Sequence, residues 1–288
     1  MNRSVRRLAL AAVLPLWLVP ARADIPAAAA EQIARSNQQA VVTIRGTLKM
    51  SVRVNGAVAQ EQGEVPIECP ATVVSASGLI AASTMLLDPV GSMMQGPIRM
   101  EQQGQTIEIQ VFSRLEAVRL LLPDKTEVPA KIVMQDDDLR LTLLAPDPGP
   151  GDKPAKYQAV ALEPSAAPAL FTSFLLLGRT GAGFQREPCL YSGVICALLT
   201  KPRAAYLPQV QPALPFMGLP FFAADGRLLG IGSVKFRTPG GGQLPQAMQH
   251  LNIIPVIIPA ADVRDLVARA QVAVPRKTAP VANKPPAT

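Results

Sequence analysis

The sequence is poor in the side chains that most metal centres and many acid–base enzymes use. Its 288 residues include one histidine (His250), three cysteines and one tryptophan, and aromatic residues make up 4% of the chain. Zinc sites in proteins are built from clusters of Cys and His ligands. The sequence has no C-x-x-C pair and no second histidine. We therefore expect no metal site, and no motif indicates a cofactor.

The central part of the chain also lacks an excess of positive or negative charge. The formal net charge is +7, but four arginines lie before position 24 and three further basic residues follow position 275. Residues 24–275 carry 21 basic and 21 acidic side chains. Nucleic-acid-binding domains concentrate positive charge on one surface. A nucleic-acid partner is therefore not expected.

The one long apolar run of the chain lies at its N-terminus. Arg3, Arg6 and Arg7 precede an apolar stretch at 8–19, and Ala21-Arg22-Ala23 supplies the small residues of a cleavage site. This arrangement is typical of a secretory signal, and the stretch is short for a membrane span. We predict a signal peptide at 1–23, cleavage after Ala23, and a secreted or periplasmic protein without an integral membrane segment. An uncleaved anchor is the alternative.

Export makes a disulfide permissible, because disulfides persist in oxidising compartments. The three cysteines are Cys69, Cys189 and Cys196, so at least one thiol stays unpaired. Cys189 and Cys196 are closest in sequence and are the candidate pair, although spacing does not fix the connectivity.

Short apolar, β-branched stretches separated by turn signals run through most of the chain. We predict strands at 40–45, 107–112, 117–122 and 159–162, a hairpin around Asn55-Gly56, and a surface loop at 88–105. Residues 25–39 predict an N-terminal helix, and a second helix begins near Pro259, with Val263, Leu266, Val267 and Ala270 on one face.

The clearest break is the Pro- and Gly-rich segment at 146–156, which predicts a linker between two halves. The first half, 24–145, holds the N-terminal helix and a first barrel. The second, 157–272, holds a second barrel and the C-terminal helix, and 273–288 is predicted to be a disordered Pro-rich tail. Short strands with a helix at each end favour an all-β fold of two packed antiparallel barrels, and the pattern alone equally allows a sandwich.

Residues 214–233, LPFMGLPFFAADGRLLGIGS, resemble the nucleophile region of trypsin-like serine proteases of the HtrA type. The stretch keeps the short apolar strand, the Asp225-Gly226 turn and the following apolar strand. Further matches come in family order at 40–45, 70–87, 125–144, 176–198 and 258–263. The resemblance covers about 30–271 and implies two six-stranded antiparallel β-barrels; no PDZ pattern is recognisable after it.

The resemblance also shows which catalytic groups are replaced. The base position falls on Met85 and the nucleophile position on Met217, and a thioether can serve neither role. The carboxylate position falls on Arg140 or, after a two-residue slip, on Asp138. One oxyanion donor falls on Pro215, which has no N–H to give. The implied catalytic site therefore has no intact triad.

The resemblance also implies an open strand edge at Gly232, Ser233 and Val234, with which the backbone of an extended peptide could pair. Met85 and Met217 are expected to meet at the old active centre, either as a plug or as an adaptable apolar patch. We expect a pseudoprotease that binds a peptide or protein, or acts as a scaffold. The alternatives are a divergent serine endopeptidase with an unrecognised nucleophile, and a purely structural domain tethered by its tail. The sequence gives neither the ligand nor the oligomeric state.

Overall fold

The computed structural model describes residues 25–93, 96–102, 104–149, 151, 155–210, 216–236 and 253–273. The predicted signal peptide, His250, Pro215 and the predicted tail from 274 onward lie outside these residues. The helices of the described part are α1 (Ala27–Asn37), α2 (Thr84–Leu87), α3 (Pro89–Met93) and α4 (Ala260–Ala273), and two 3-10 turns lie at Gln38–Ala40 and Ala182–Phe184. None of these helices has the length and hydropathy needed to cross a membrane.

The strands fall into two groups along the chain. The first group comprises β1 (Val41–Val54), β2 (Ala57–Val73), β3 (Ile80–Ser83), β4 (Ile98–Gln102), β5 (Gln105–Leu121), β6 (Glu127–Asp136) and β7 (Leu141–Pro146). The second comprises β8 (Ser173–Arg179), β9 (Pro188–Leu199), β10 (Ala205–Pro208), β11 (Pro220–Ala223), β12 (Leu228–Phe236) and β13 (Ile253–Pro259).

The first group closes into a six-stranded antiparallel barrel in the order β1-β2-β3-β7-β6-β5, and the ring closes because β5 pairs back with β1. Ile44 of β1 shows the closure, since it lies opposite Cys69 of β2 on one side and Leu120 of β5 on the other. All three side chains are buried. β4 adds to the far side of β5 and lies outside the ring.

The second group closes in the order β10-β13-β12-β11-β8-β9. Its interior is filled by large apolar side chains, including Phe174 and Phe221, whose rings meet edge to face at 5.0 Å between centroids. α4 packs on this half through Val263, Leu266, Val267 and Ala270, the face that its sequence spacing predicts.

The predicted fold class is confirmed. Two closed six-stranded antiparallel barrels with a helix at each end are consistent with a trypsin-like fold, and closure of both rings excludes the sandwich alternative. The strand predicted at 159–162 is not a strand; this segment is extended and joins β2 through one bond from the Val160 N–H to the Val73 carbonyl, at 3.0 Å.

Three strands of the first barrel run well past its wall. β1, β2 and β5 contain 14, 17 and 17 residues, and their outer parts form, with β4, a staggered sheet that we call the arm (residues 49–54, 57–64, 98–102 and 105–114). β1 pairs with 109–114 of β5, whereas β4 pairs with 105–109. The Asn55-Gly56 turn at its tip has positive φ at both residues, as a tight hairpin turn requires. The arm therefore occupies part of the segment at 88–105 that the sequence predicts as a loop.

Candidate functional site

The base-equivalent residue Met85 lies in α2, the single helical turn that follows β3. Its side chain is buried at 9% exposure and belongs to the hydrophobic core. The Thr84 N–H donates to the Arg140 carbonyl at 3.0 Å, and the hydroxyls of Thr84 and Thr142 lie 2.9 Å apart. The turn that carries Met85 is therefore fixed to the segment that carries the carboxylate-equivalent position.

Arg140 lies in a turn immediately before β7, with a left-handed φ of +55°. Its guanidinium Nη1 donates to the Ser92 carbonyl at 3.1 Å. Asp138, the alternative carboxylate, is exposed. The structure therefore ties the Arg140 side chain to the turn around 88–93.

The neighbouring Asp136 has a structural role at the other end of this turn. It accepts the Leu139 N–H at 3.0 Å and Arg269 Nη2 of α4 at 2.7 Å. Partial burial would raise the pKa of Asp136, but these hydrogen bonds and the Arg269 charge hold it below the usual value. Among the described residues no group of three potential ligands is arranged to hold a metal ion.

The nucleophile-equivalent residue Met217 is half-buried and packs against the same core as Met85. The next residue, Gly218, holds this loop against the first barrel, because its carbonyl accepts a hydrogen bond from the Thr72 hydroxyl at 2.7 Å. Gly218 has φ +77°, and a Cβ there would lie 2.7 Å from the Pro70 carbonyl oxygen and 3.4 Å from the Ser83 nitrogen. The two methionine-bearing segments thus meet where the barrels join.

The polar side chains buried at this junction are hydroxyls. In the part of the chain that the structure describes, every buried polar or charged residue is a serine or threonine; the members near the junction are Thr72, Ser83, Thr84, Thr142 and Ser233. The Ser83 hydroxyl is fully buried and has no hydrogen-bond partner there. A serine becomes a nucleophile when a neighbouring base takes its proton. The side chains that follow Ser83 in sequence are the Thr84 hydroxyl and the Met85 thioether, and neither is a base near neutral pH.

At the predicted peptide-binding edge, the backbone of Gly232 is bonded to the loop at 216–219. The Gly232 N–H donates to the Leu219 carbonyl and the Gly232 carbonyl accepts the Gly218 N–H, both at 2.8 Å. Ser233 and Val234 are 0% exposed. The loop at 216–219 therefore occupies the N–H and the carbonyl of Gly232, the first residue of the predicted edge.

Ser233 also links the two barrels. Its hydroxyl lies within hydrogen-bond distance of the carbonyls of Leu139, at 3.0 Å, and Arg140, at 3.2 Å. The residue predicted as part of a peptide edge therefore has an observed structural partner in the first barrel.

The candidate disulfide is wrong. Cys69, Cys189 and Cys196 are all free. Cys189 and Cys196 lie seven residues apart on the single strand β9, a separation of about 23 Å at about 3.3 Å per residue, whereas a disulfide needs Cα atoms within about 7 Å. Proximity in sequence does not bring them together because a strand extends the chain. The Cys196 thiol donates to the Leu207 carbonyl at 3.2 Å instead.

Sequence reasoning missed Arg179, the last residue of β8. Its guanidinium donates to three backbone carbonyls, those of Val41, Arg186 and Gln38, at 2.8, 2.9 and 2.5 Å. Half-burial lowers the pKa of Arg179. The sequence feature that could have identified Arg179 is its position as the one charged residue at the end of an apolar strand. Its role is to fix the start of β1 to the second barrel.

Comparison with models of known protein families finds no match for this chain, and comparison with curated proteins finds no similar protein.

Proposed function

We propose that this protein is an exported trypsin-like domain without peptidase activity, which acts as a binding or scaffolding module for a peptide or protein. One observation carries the proposal: the loop that contains Met217 lies, through Gly218, against Thr72 and Ser83 of the first barrel, two residues before Met85, and the buried polar side chains there are hydroxyls. This is the place at which the family resemblance puts a histidine and a serine.

The chemistry of this junction supports the loss of activity. Attack by a hydroxyl requires an acceptor for its proton, and the tetrahedral intermediate that follows is stabilised by preorganised oxyanion donors. Neither Met85 nor Met217 can exchange a proton near neutral pH. The Gly218 N–H, which lies beside the nucleophile position, is already donated to the Gly232 carbonyl.

Activity is tested with a fluorophosphonate serine probe and a casein substrate on the purified mature chain. We expect neither labelling nor cleavage. Ser83→Ala and Ser233→Ala serve as diagnostic variants, because both hydroxyls are buried near the junction. Labelling that disappears in one of these variants would refute the proposal and favour a divergent peptidase.

Peptide binding at Gly232, Ser233 and Val234 would require the loop at 216–219 to leave Gly232. Met217→Arg places a charge in that loop, so we expect it to change the affinity for an unfolded polypeptide, measured by fluorescence anisotropy. Val272→Arg is the control, because Val272 is 87% exposed at the end of α4. Equal affinities for both variants and the unmodified chain would exclude this groove.

The proposed export has its own test. The basic residues and the apolar run at 1–23 predict cleavage after Ala23, so the N-terminal sequence of protein recovered from the periplasm or medium is expected to begin at Asp24. Retention of residues 1–23 on the recovered protein would contradict this part of the proposal.

A further inference from the structure

The arm presents one apolar face that the described residues leave uncovered. Even-numbered residues of β1 lie opposite odd-numbered residues of β5 at 109–115. Odd-numbered residues of β5 at 105–109 lie opposite even-numbered residues of β4, so side chains from three strands share one face. That face carries Met50, Val52, Ile98, Met100, Ile109 and Val111. Ile98 and Met100 are 37% and 46% exposed, and the other four are half-buried.

This face continues the inner wall of the first barrel. The same row of β1 begins inside the barrel with Val42 and Ile44, both buried, and passes through Leu48 at 4% exposure before it reaches Met50. Ser113 of β5 donates its hydroxyl to Asp88, so the turn around 88–93 covers the face near the barrel. Beyond that level the apolar row runs on without a cover from the described part of the chain.

The charged side chains of the arm lie on the opposite face. Lys49 contacts Glu64 at 3.1 Å, Arg99 contacts Glu108 at 3.4 Å, and the Arg53 guanidinium lies 5.0 Å from the centre of the Phe112 ring. By the strand register, no charged residue with a described side chain lies on the apolar face. An antiparallel sheet with one solvated face normally places its polar side chains on that face. In the arm, the charged face contacts water, and the apolar face is suited to packing against another surface.

The edges of the arm are protected against strand addition, which leaves its face as the place for a partner. β1 and β2 are offset by two register irregularities, between Lys49 and Met50 and between Val52 and Arg53. The opposite edge is β4 beside 105–109 and β5 itself at 110–114. β4 is five residues long and contains Arg99 and Glu101, and the β5 part contains Arg114. Bulges, short edge strands and edge charges are the features by which proteins discourage edge pairing.

We propose that the apolar face of the arm packs against the same face of a second copy of this chain, as two stacked sheets related by a two-fold axis. In an isologous contact the same surface patch of two subunits packs together. Because this face carries no charged side chain, two copies of it can pack without like-charge repulsion. Because the arm projects from the barrel, two arms can stack while their barrels lie at opposite ends. Sheets stacked in this way lie about 10 Å apart, with interdigitated side chains.

The area predicts a weak, reversible dimer. The face is contributed by 49–54 of β1, 105–114 of β5 and 98–102 of β4. At about 4.8 Å between strands and about 3.3 Å per residue these cover about 330 Å², so two copies bury about 660 Å². This is below the roughly 1,000 Å² that a stable interface buries, so the contact is a weak and transient one. An anionic lipid surface is the less favourable occupant, because membrane-binding faces are flanked by an excess of Lys and Arg, whereas the charged arm side chains described above include Glu64 and Glu108 opposite Lys49 and Arg99.

The test is sedimentation of the mature chain from about 1 µM to about 1 mM, the range in which weak interfaces associate. We expect the mass to rise toward that of two chains. Val111→Glu, at the centre of the face, and Met100→Glu, at its exposed edge, are each expected to raise the midpoint concentration at least about tenfold, because dimerisation would bury an unpaired carboxylate. Met100→Glu keeps the test valid if the half-buried Val111→Glu fails to fold.

Gln110→Glu is the matched control. It introduces the same charge one residue away, on the opposite face and across from Arg53, so it is expected to leave the midpoint unchanged. A monomer over the whole range would overturn the proposal, even if the wild-type chain bound vesicles or an apolar dye through the arm. So would a dimer that Met100→Glu and a folded Val111→Glu leave intact.

Discussion

The Thr72 hydroxyl of the first barrel donates to the Gly218 carbonyl of the second-barrel loop at 2.7 Å, and Thr72 is fully buried. In the trypsin-like arrangement this loop would carry the nucleophile. Here a neutral hydrogen bond fixes the loop to its neighbour and helps to close the junction.

Thr72→Val is expected to lower the free energy of unfolding by about 1–3 kcal/mol, because it keeps the shape but leaves the buried Gly218 carbonyl without its donor. Urea denaturation measures the change. Thr106→Val is the control, since Thr106 is exposed on β5 and the same substitution there removes no buried bond. Equal changes in the two variants would show that the Thr72 bond adds nothing to stability.

Gly218→Ala is expected to destabilise the protein more than Gly56→Ala. Both glycines have left-handed φ values, +77° and +82°, so both variants carry a backbone penalty of about 1–2 kcal/mol. Only at Gly218 would the new Cβ also meet backbone, 2.7 Å from the Pro70 oxygen, whereas nothing lies within 4 Å at Gly56. The difference between the two unfolding free energies isolates the cost of the close approach, and no difference would mean that the loop shifts freely.

Local turn chemistry and apolar spacing explain which parts of the fold were predictable. Asn55-Gly56 and Asp225-Gly226 each form the turn that their sequence indicates, and the apolar positions of α4 are buried as their spacing predicts. The break expected between 107–112 and 117–122 is instead a local irregularity in one long strand. Ala117 takes φ +51° there while β1 shifts register between Arg45 and Thr47, and a bulge of this kind depends on the partner strand.

The family resemblance predicts a set of substitutions, Met85 and Met217 among them, and that assignment stays a prediction. It does not predict the contacts at the barrel junction. The bonds that close it join residues far apart in sequence, such as Ser233 to Leu139, 94 positions away. Neither residue carries a local signal for that pairing, because its cause is the packing of one barrel on the other.

Arg179→Leu is expected to lower the free energy of unfolding by at least about 2 kcal/mol, because hydrogen bonds from a charged donor contribute about 1.5–3 kcal/mol each and three are lost. Faster hydrogen exchange is expected at 38–41, where two of the acceptors lie. Arg114→Leu is the control, since the Arg114 side chain is 83% exposed. A loss no larger than in this control, with unchanged exchange, would contradict the role assigned to Arg179.

Cys69 predicts a loss of stability at alkaline pH. Burial, with a smaller contribution from Glu68, raises the pKa of its thiol from the ordinary value of 9.0 to about 12. Below pH 9 the thiol is protonated in both states and has no effect on the pH dependence. Between pH 9 and about 12 the unfolded chain releases the proton while the folded chain holds it, so the unfolded state is favoured and stability falls as pH rises.

Cys69→Ala removes this titration and isolates it from the other groups that ionise in the same range, among them Tyr157 and Tyr206, whose pKa values burial also raises. The variant is expected to be less stable than the wild type at pH 8, because a buried side chain is truncated. Its free energy of unfolding is nevertheless expected to fall less steeply from pH 9 to pH 11. Urea denaturation at closely spaced pH values gives both curves, and parallel curves would mean that the folded protein lets Cys69 ionise as readily as the unfolded chain does.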